Sequence, residues 1–141
     1  MKAALCKSLD GPAGVVVEDI ADPVAGPGEA VVRVRAAALN FFDTLITRGK
    51  YQTRPELPFS PSGEIAGVVE SLGTGVTGLA VGDRVAAAVG YGGARERIAA
   101  LYGGDRREEF LRHLDDAEYA LFGFDVDRAR KSLEQAFRLD R

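Results

Sequence analysis

The sequence predicts a mainly β fold with some α-helix, consisting of a small, distorted barrel of short strands and a C-terminal helical hairpin. Two observations favour the barrel. Apolar and polar residues alternate in short runs over residues 1–100, and glycines and prolines separate these runs. A third observation favours the hairpin, because charged residues become frequent and glycine becomes scarce after residue 100. We therefore expect a boundary between residues 1–100 and a tail at 101–141.

The chain begins with two predicted strands, residues 2–9 and 15–20, joined by a turn at residues 10–12. A third strand is predicted at residues 29–38. Arg33 and Arg35 fall on one face of this strand, and Val32 and Val34 fall on the other, as expected of an antiparallel strand with one exposed face. The two arginines are interpreted as part of a solvated face.

The polar and aromatic residues that could form a site are concentrated between residues 40 and 67. Asn40 and Asp43 lie three positions apart on a predicted short helix and share one face, and Gly49 ends the helix. Three prolines then prevent a further helix and lead into a strand over residues 64–71. The apolar residues of the helix are predicted to face the core: Phe41, Phe42, Leu45 and Ile46.

Three sequence runs in this region carry a resemblance to a known family. They are NFFDTLITRGKY from Asn40, LPFSPSGEIAGVVESLGTGV from Leu57, and GDRV from Gly82. In this order and spacing they resemble the catalytic domain of zinc-independent medium-chain dehydrogenase/reductases, in the NADPH:quinone oxidoreductase branch. The resemblance covers roughly the first hundred residues and implies a GroES-like barrel there.

The resemblance implies hydride transfer from NADPH to a quinone or an enone. Asn40, Tyr51 and Asp43 would be the catalytic set. Asn40 would bind near the nicotinamide or its ribose, Asp43 would fix the loop, and Tyr51 would face the substrate. Simpler roles are also compatible with these residues, since Asp43 could cap backbone amides, Tyr51 could anchor the loop and Asn40 could close a turn. The substrate pocket would be lined by Phe41, Tyr51, Phe59 and Glu64.

The same resemblance predicts that the chain has no zinc site. Zinc-dependent members place a cysteine where this chain has Asn40, and Gly-His-Glu where it has Ser62, Gly63 and Glu64. Neither an amide nor glycine is a good zinc ligand. Cys6 is the only cysteine, and His113, the only histidine, is expected on a helix surface. Cys6 lies in an alternating strand and is interpreted as a core residue.

A glycine motif at Gly73, Gly75 and Gly78 matches the dinucleotide-binding pattern G-x-G-x-x-G. That pattern must open a helix, whereas here a further turn and another strand are predicted. We interpret the motif as a turn between strands and predict no complete Rossmann domain. NADPH is therefore implied by the resemblance, while its binding domain is expected to be absent from this chain.

Charge and hydropathy argue against other classes of partner. The net charge of −3 disfavours nucleic acid, and no apolar run is long enough to span a membrane. No signal peptide is predicted, so we expect a cytoplasmic protein.

Two amphipathic helices are predicted in the tail. The first begins with a capping box at Asp105 and Glu108 and ends at Gly123, and Asp125 caps the second. Each helix has one apolar stripe, which could pack on the barrel or form a homodimer. The stripes consist of Phe110, Leu114, Ala117 and Leu121, and of Val126, Ala129, Leu133, Ala136 and Phe137.

Two classes of function follow. The first is the catalytic-domain portion of an NAD(P)H-dependent quinone oxidoreductase or alkene reductase, inactive alone without a nucleotide-binding domain. The second is a non-enzymatic binding or self-assembly module that retains the barrel. A truncated or fused gene product is a third interpretation.

Overall fold

The computed structural model describes residues 1–102 and 110–111, and in these residues strands predominate. There is a single α-helix in the described part of the chain, together with a 3-10 turn at Gly11–Gly14. The elements are β1 (Lys2–Cys6), β2 (Val15–Asp19), β3 (Glu29–Ala38), α1 (Phe41–Ile46), β4 (Glu64–Leu72), β5 (Arg84–Ala88), β6 (Arg97–Leu101) and β7 (Phe110–Leu111). The mainly β class expected from the alternating pattern is confirmed.

The strands form two antiparallel sheets that are joined through β1. One sheet pairs β1 with β2, and the other has the order β6-β3-β4-β5-β7. β1 connects them through isolated bridges from Ala3 to Arg95 and from Cys6 to Phe59. Arg95 is half-buried at this junction, and burial lowers the pKa of its guanidinium. The junction places the loop before β4 directly against β1.

The predicted strands at residues 15–20, 29–38 and 64–71 agree with β2, β3 and β4 to within one residue. β3 spans the residues predicted for it, but β1 ends at Cys6 rather than at residue 9. The last bond of the hairpin runs from the backbone N–H of Lys7 to the carbonyl of Gly14 at 2.8 Å, and the chain turns between these two residues. Gly11, with a φ of +70°, permits the tight 3-10 turn in between.

The main core lies on the inner face of the larger sheet. Val32 is fully buried while Arg33 and Arg35 are exposed, so the predicted faces of β3 are confirmed. On the outer face, Glu70 Oε2 accepts a hydrogen bond from Arg97 Nε at 2.7 Å, and this bond raises the pKa of Arg97. The buried core residues are Ala30, Val32, Ile65, Val69, Leu79, Val85, Ala87, Ile98 and Tyr102.

A second, smaller core joins β1, α1 and the loop before β4. It consists of Cys6, Ile46 and Phe59, with Val15 and Phe42 packed against it. Cys6 is fully buried, as expected, and burial raises the pKa of its thiol. This cluster holds the inner side of α1 in place.

The glycine motif at residues 73–78 lies in the connection between β4 and β5. Its first residues pack against the start of β3, because Gly73 N–H bonds to Glu29 O and Gly28 N–H bonds to Thr74 O, both at 2.8 Å. No helix begins at this motif within the described residues. The interpretation as a turn between strands is confirmed.

Most of the predicted tail lies outside the described residues. Phe110–Leu111, which were predicted to belong to the first tail helix, instead form β7 beside β5. This edge position supplies backbone hydrogen bonds that β5 would otherwise lack on that side. The rest of the predicted hairpin, and the homodimer proposed through it, fall on residues that are not described. Among the described residues, no helix has the length and apolar character needed to cross a membrane.

A substitution at Gly73 tests the structural role of the glycine motif. A Cβ atom there would overlap the carbonyl oxygen of Gly26, which is itself held by a hydrogen bond from Glu29 N–H at 3.0 Å. We expect Gly73→Ala to lower the free energy of unfolding by about 3 kcal/mol, as for an overpacked site. The measurement is urea denaturation followed by circular dichroism.

Gly75→Ala is the matched control for this substitution. Gly75 has a φ of +81° but open space where a Cβ would be placed, so only backbone strain of about 1 kcal/mol is expected. Equal losses for the two variants would contradict the packing argument.

Candidate functional site

The candidate site begins where β3 ends and α1 starts. Asn40 has an extended backbone, with φ −114° and ψ 173°, and serves as the N-cap of α1. Asn40 and Asp43 form a capping box, in which Asn40 N–H donates to Asp43 Oδ2 at 2.8 Å and the Asn40 side chain faces the backbone N–H of Asp43. The spacing of three residues noted in the sequence therefore organises the helix start.

Asp43 also connects the helix to a distant part of the chain. Its other oxygen, Oδ1, accepts a hydrogen bond from the backbone N–H of Ser62 at 2.6 Å, and Asp43 as a whole is only 6% exposed. Thr47 is buried as well, and its hydroxyl donates to the carbonyl of Asp43 at 2.7 Å. The Asp43 carboxylate is thus a buried link between α1 and the residues just before β4.

Ser62 has an unusual backbone conformation for a residue with a side chain. Its φ is +73°, a left-handed value that glycine adopts easily, and it is fully buried. Its hydroxyl donates to Glu64 O at 3.0 Å, and its carbonyl accepts from Gly93 N–H at 2.9 Å. These bonds, together with that from Ser62 N–H to Asp43, hold Ser62 in this conformation.

The side chains of Asn40 and Glu64 meet at the edge of this network. Asn40 Nδ2 donates to Glu64 Oε2 at 3.1 Å, across 24 positions in sequence. Both residues are half-buried. Glu64 is the first residue of β4 and pairs with Ala38 on β3 and with Ala88 on β5, so its backbone is held on both sides.

Aromatic residues flank the network. The rings of Phe42 and Tyr51 meet edge to face, with centroids 4.7 Å apart and an interplanar angle of 84°. Tyr51 is 37% exposed, so its ring is anchored on α1 while part of it remains accessible. Phe59 is buried in the small core, where its ring contacts Tyr91 with centroids 6.2 Å apart.

The structure brings together only part of the predicted site. Asn40, Asp43 and Glu64 share one hydrogen-bond network, and Tyr51 adjoins it through Phe42. Phe59 lies in the small core. The prediction that Phe41 faces the core is wrong, because Phe41 is 76% exposed.

The geometry of α1 explains the orientation of Phe41. Asp43 and Ile46 are the buried residues of this helix. A position two residues before Asp43 falls on the opposite side of a helix with 3.6 residues per turn. Phe41 therefore faces solvent.

Ser62 is the residue that the sequence analysis missed as part of this network. Its signal was present, since zinc-dependent members of the resembled family carry glycine there. A glycine at one position of a family can indicate a left-handed backbone. The φ of +73° shows that Ser62 adopts a left-handed backbone despite its side chain.

The chemistry of the network is that of hydrogen bonding. Within the described ranges, 1–102 and 110–111, no group of three histidine, cysteine, aspartate or glutamate residues is placed to hold a metal ion. A Cβ at Gly63 would lie 3.0 Å from the carbonyl oxygen of Gly90 and 3.7 Å from the Phe42 ring. A larger side chain at this position would have to displace the neighbouring backbone.

These features define a small antiparallel β-domain with one polar site beside a short capped helix. Residues 26–107 match the family model described as the alcohol dehydrogenase GroES-like domain, which covers more than half of the chain. The chain belongs to this family.

Its relatives include quinone oxidoreductase-like proteins. Over 93 residues the chain is 43% identical to the quinone oxidoreductase-like protein 2 homolog of Nematostella vectensis, covering 65% of this chain and 25% of the relative. The chain thus spans about a quarter of the length of that protein.

Solved structures agree with this placement. A probable oxidoreductase from Mycobacterium abscessus superimposes with a TM-score of 0.72 at 43% identity, over 82% of this chain and 35% of that one. The quinone oxidoreductase from Thermus thermophilus, solved also in complex with NADPH, gives a TM-score of 0.64 at 36% identity, over 96% and 41%. The resemblance to the quinone oxidoreductase branch is confirmed.

Asp43→Ala tests the buried link. The substitution leaves the backbone N–H groups of Asn40 and Ser62 without their acceptor, so we expect a loss of about 3 kcal/mol in the free energy of unfolding. Asp83→Ala is the control, because Asp83 Oδ2 accepts one N–H, from Ala80 at 2.9 Å, in an exposed turn. Denaturant midpoints that fall equally for both variants would reject a special role for Asp43.

Substitutions of Ser62 test the strained backbone. Ser62→Ala removes the hydroxyl and keeps the strain, whereas Ser62→Gly removes both. We expect the glycine variant to be more stable than the alanine variant by about 1 kcal/mol, the reverse of the usual order. Thermal melting of the two variants measures this difference, and a more stable alanine variant would contradict the assigned conformation.

Proposed function

We propose that this chain is the catalytic-domain portion of an NAD(P)H-dependent, zinc-independent quinone oxidoreductase or alkene reductase. The reaction is hydride transfer to a quinone or an enone. The observation that carries the proposal is the preassembled Asn40, Asp43 and Glu64 network, located within the family match and beside the accessible Tyr51. The names of its relatives give the reaction class. Its cellular location is proposed to be cytoplasmic.

The residues at the site fit the nicotinamide end of NADPH. The Asn40 amide is a neutral hydrogen-bonding group at a half-buried position, which suits a ribose hydroxyl or a carboxamide. The glycine motif at residues 73–78 does not fit the phosphates, because it connects strands and opens no helix. The groups that bind the phosphates are therefore expected in a nucleotide-binding domain outside the described residues.

The proposal assigns separate roles to the site residues. When bound, the nicotinamide supplies the hydride, and the protein supplies position and electrostatics. Asn40 orients the ligand by hydrogen bonding, and Asp43 holds Asn40 through the helix start. Tyr51 offers its ring and its hydroxyl to the substrate from the mouth of the site, and Glu64 forms the polar floor.

We also propose that the reaction does not use zinc. Asn40 uses its amide to bind Glu64, and an amide nitrogen is not a zinc ligand. A histidine at Gly63 would meet the Gly90 backbone and the Phe42 ring. The two positions at which zinc-dependent members carry their metal ligands thus serve hydrogen bonding and close packing in this chain.

The test is a chimera assayed beside the isolated chain. Residues 1–102 would replace the matching part of the Thermus thermophilus quinone oxidoreductase, and NADPH oxidation would be followed with a panel of quinones and enones. We expect turnover that depends on the acceptor, and a loss of about tenfold to a hundredfold in kcat/KM for Asn40→Ala, as for lost ligand positioning. The 141-residue chain alone should not bind NADPH below millimolar concentration.

Two controls make this test decisive. The first control is the parent enzyme, whose activity shows what the nucleotide-binding part can support. The second is Glu70→Ala in the chimera, which removes a carboxylate on the outer face of the sheet. A folded chimera that binds NADPH but reduces neither quinones nor enones would contradict the proposal. Addition of a zinc chelator should leave the rate unchanged.

A further inference from the structure

The geometry points to Glu64 as a positioning residue that fixes the side-chain amide of Asn40, so that this amide presents an N–H to a carbonyl oxygen of the ligand. The orientation of the amide is a property of the free chain. The identity of the ligand rests on the proposed function, in which that carbonyl belongs to the quinone or enone, or to the nicotinamide carboxamide.

The chemistry of Asn40 and Glu64 determines how the amide is oriented. Asn40 Nδ2 lies 3.1 Å from Glu64 Oε2. An ionised carboxylate only accepts hydrogen bonds, so the opposite amide orientation would place two acceptors against each other. On the other side of the amide, the capping box places the Asn40 side chain toward the backbone N–H of Asp43, although this N–H already donates to the Asn40 carbonyl oxygen at 3.0 Å. The Glu64 carboxylate therefore sets the orientation of the amide, and the Asp43 N–H is compatible with it.

Asn40 and Glu64 are both held in place through their backbones. Asn40 is fixed at the helix start by the bond from its N–H to Asp43 Oδ2, and Glu64 is fixed between β3 and β5. The Ser62 hydroxyl holds the carbonyl of Glu64 at 3.0 Å. The backbone of each partner is therefore fixed, and the half-buried pair differs in this from an exposed contact between two long side chains.

The Asn40 amide has one N–H left for a ligand. An amide nitrogen carries two N–H donors, and Glu64 accepts one of them from Asn40. Asn40 is half-buried rather than fully enclosed, and within the described residues its amide nitrogen donates no further hydrogen bond to the protein. The second N–H suits an acceptor, and a carbonyl oxygen is the acceptor that quinones, enones and the nicotinamide carboxamide share.

The test uses nuclear magnetic resonance of the side-chain amides in the full 141-residue chain. The sequence contains one asparagine, Asn40, and two glutamines, so the Asn40 signals are easily assigned. The exposed Gln52 is an internal reference. We expect the Asn40 amide protons to exchange with water about tenfold more slowly than those of Gln52, a factor that corresponds to about 1.4 kcal/mol.

Three variants separate positioning from general stability. Glu64→Ala should bring the exchange of Asn40 to the rate of Gln52, and the isosteric Glu64→Gln should restore part of the protection through a neutral acceptor. Glu70→Ala, on the outer face of the same strand, should leave the Asn40 signals unchanged. Asn40 signals that are insensitive to Glu64, or equally sensitive to Glu70, would overturn the proposal.

Small probes then test the polarity of the amide. The probes are added at concentrations on the order of 10 mM. 2-Cyclohexen-1-one and nicotinamide each offer a carbonyl, whereas 2-cyclohexen-1-ol has the cyclohexene ring of the first probe with a hydroxyl in place of the carbonyl. We expect at least about a threefold larger shift of the Asn40 signals with a carbonyl probe than with the alcohol. A response to cyclohexenone assigns the contact to the substrate, and a response to nicotinamide alone assigns it to the cofactor. No response, or a response that favours the alcohol, would overturn the proposed polarity.

These outcomes are distinguishable from those of the chimera assay. The exchange measurements require neither NADPH nor turnover, so the positioning of Asn40 by Glu64 can fail while quinone reduction succeeds. The reverse is also possible, because a fixed amide in this chain, found together with a folded chimera that binds NADPH but reduces neither quinones nor enones, would support the geometry and reject the reaction.

Discussion

The buried carboxylate of Asp43 is the group on which the geometry of the site depends. Its two oxygens accept backbone N–H groups from Asn40 and Ser62, which belong to segments far apart in the chain. A helix of six residues is too short to be stable in isolation. The capping box and the contacts of Ile46 and Phe42 with the small core therefore hold α1 where the sheet ends.

The conformation of Ser62 follows from the same link. A left-handed backbone is unfavourable for a residue with a side chain and persists only where its surroundings compensate. The N–H, the carbonyl and the hydroxyl of Ser62 each have a hydrogen-bond partner, in Asp43, Gly93 and Glu64 respectively. The conformation of Ser62 therefore contributes to the position from which Glu64 enters β4.

Local patterns predicted the parts of this arrangement that depend on local spacing. Alternation identified β3 and its two faces, and the spacing of Asn40 and Asp43 indicated that the two residues share one face of a short helix. The bonds from Asp43 to Ser62 and from Asn40 to Glu64 join residues 19 and 24 positions apart, and no local pattern specifies them.

The prediction that Phe41 faces the core failed for a related reason. An apolar residue in a six-residue helix does not reveal which side of the helix will be buried, because the small core and the buried carboxylate determine that side. In this helix a polar residue, Asp43, occupies the inner side and an aromatic residue, Phe41, the outer one. Hydrophobicity alone predicts the opposite arrangement, since it takes no account of the two N–H groups that require a buried acceptor.

The network of Asn40, Asp43 and Glu64 lies where zinc-dependent members of the resembled family use a metal. It shows another way to organise a site at this place. A metal fixes its ligands through coordination bonds, whereas here the Asn40 amide is fixed by Glu64 and by the helix start. Both kinds of interaction hold polar groups in place before a ligand arrives, and this lowers the ordering required on binding. The difference lies in what is offered to a carbonyl. A metal offers a Lewis acid, and a fixed amide offers one directed hydrogen bond, which is weaker but sufficient to position a carbonyl for hydride transfer in the proposed reaction.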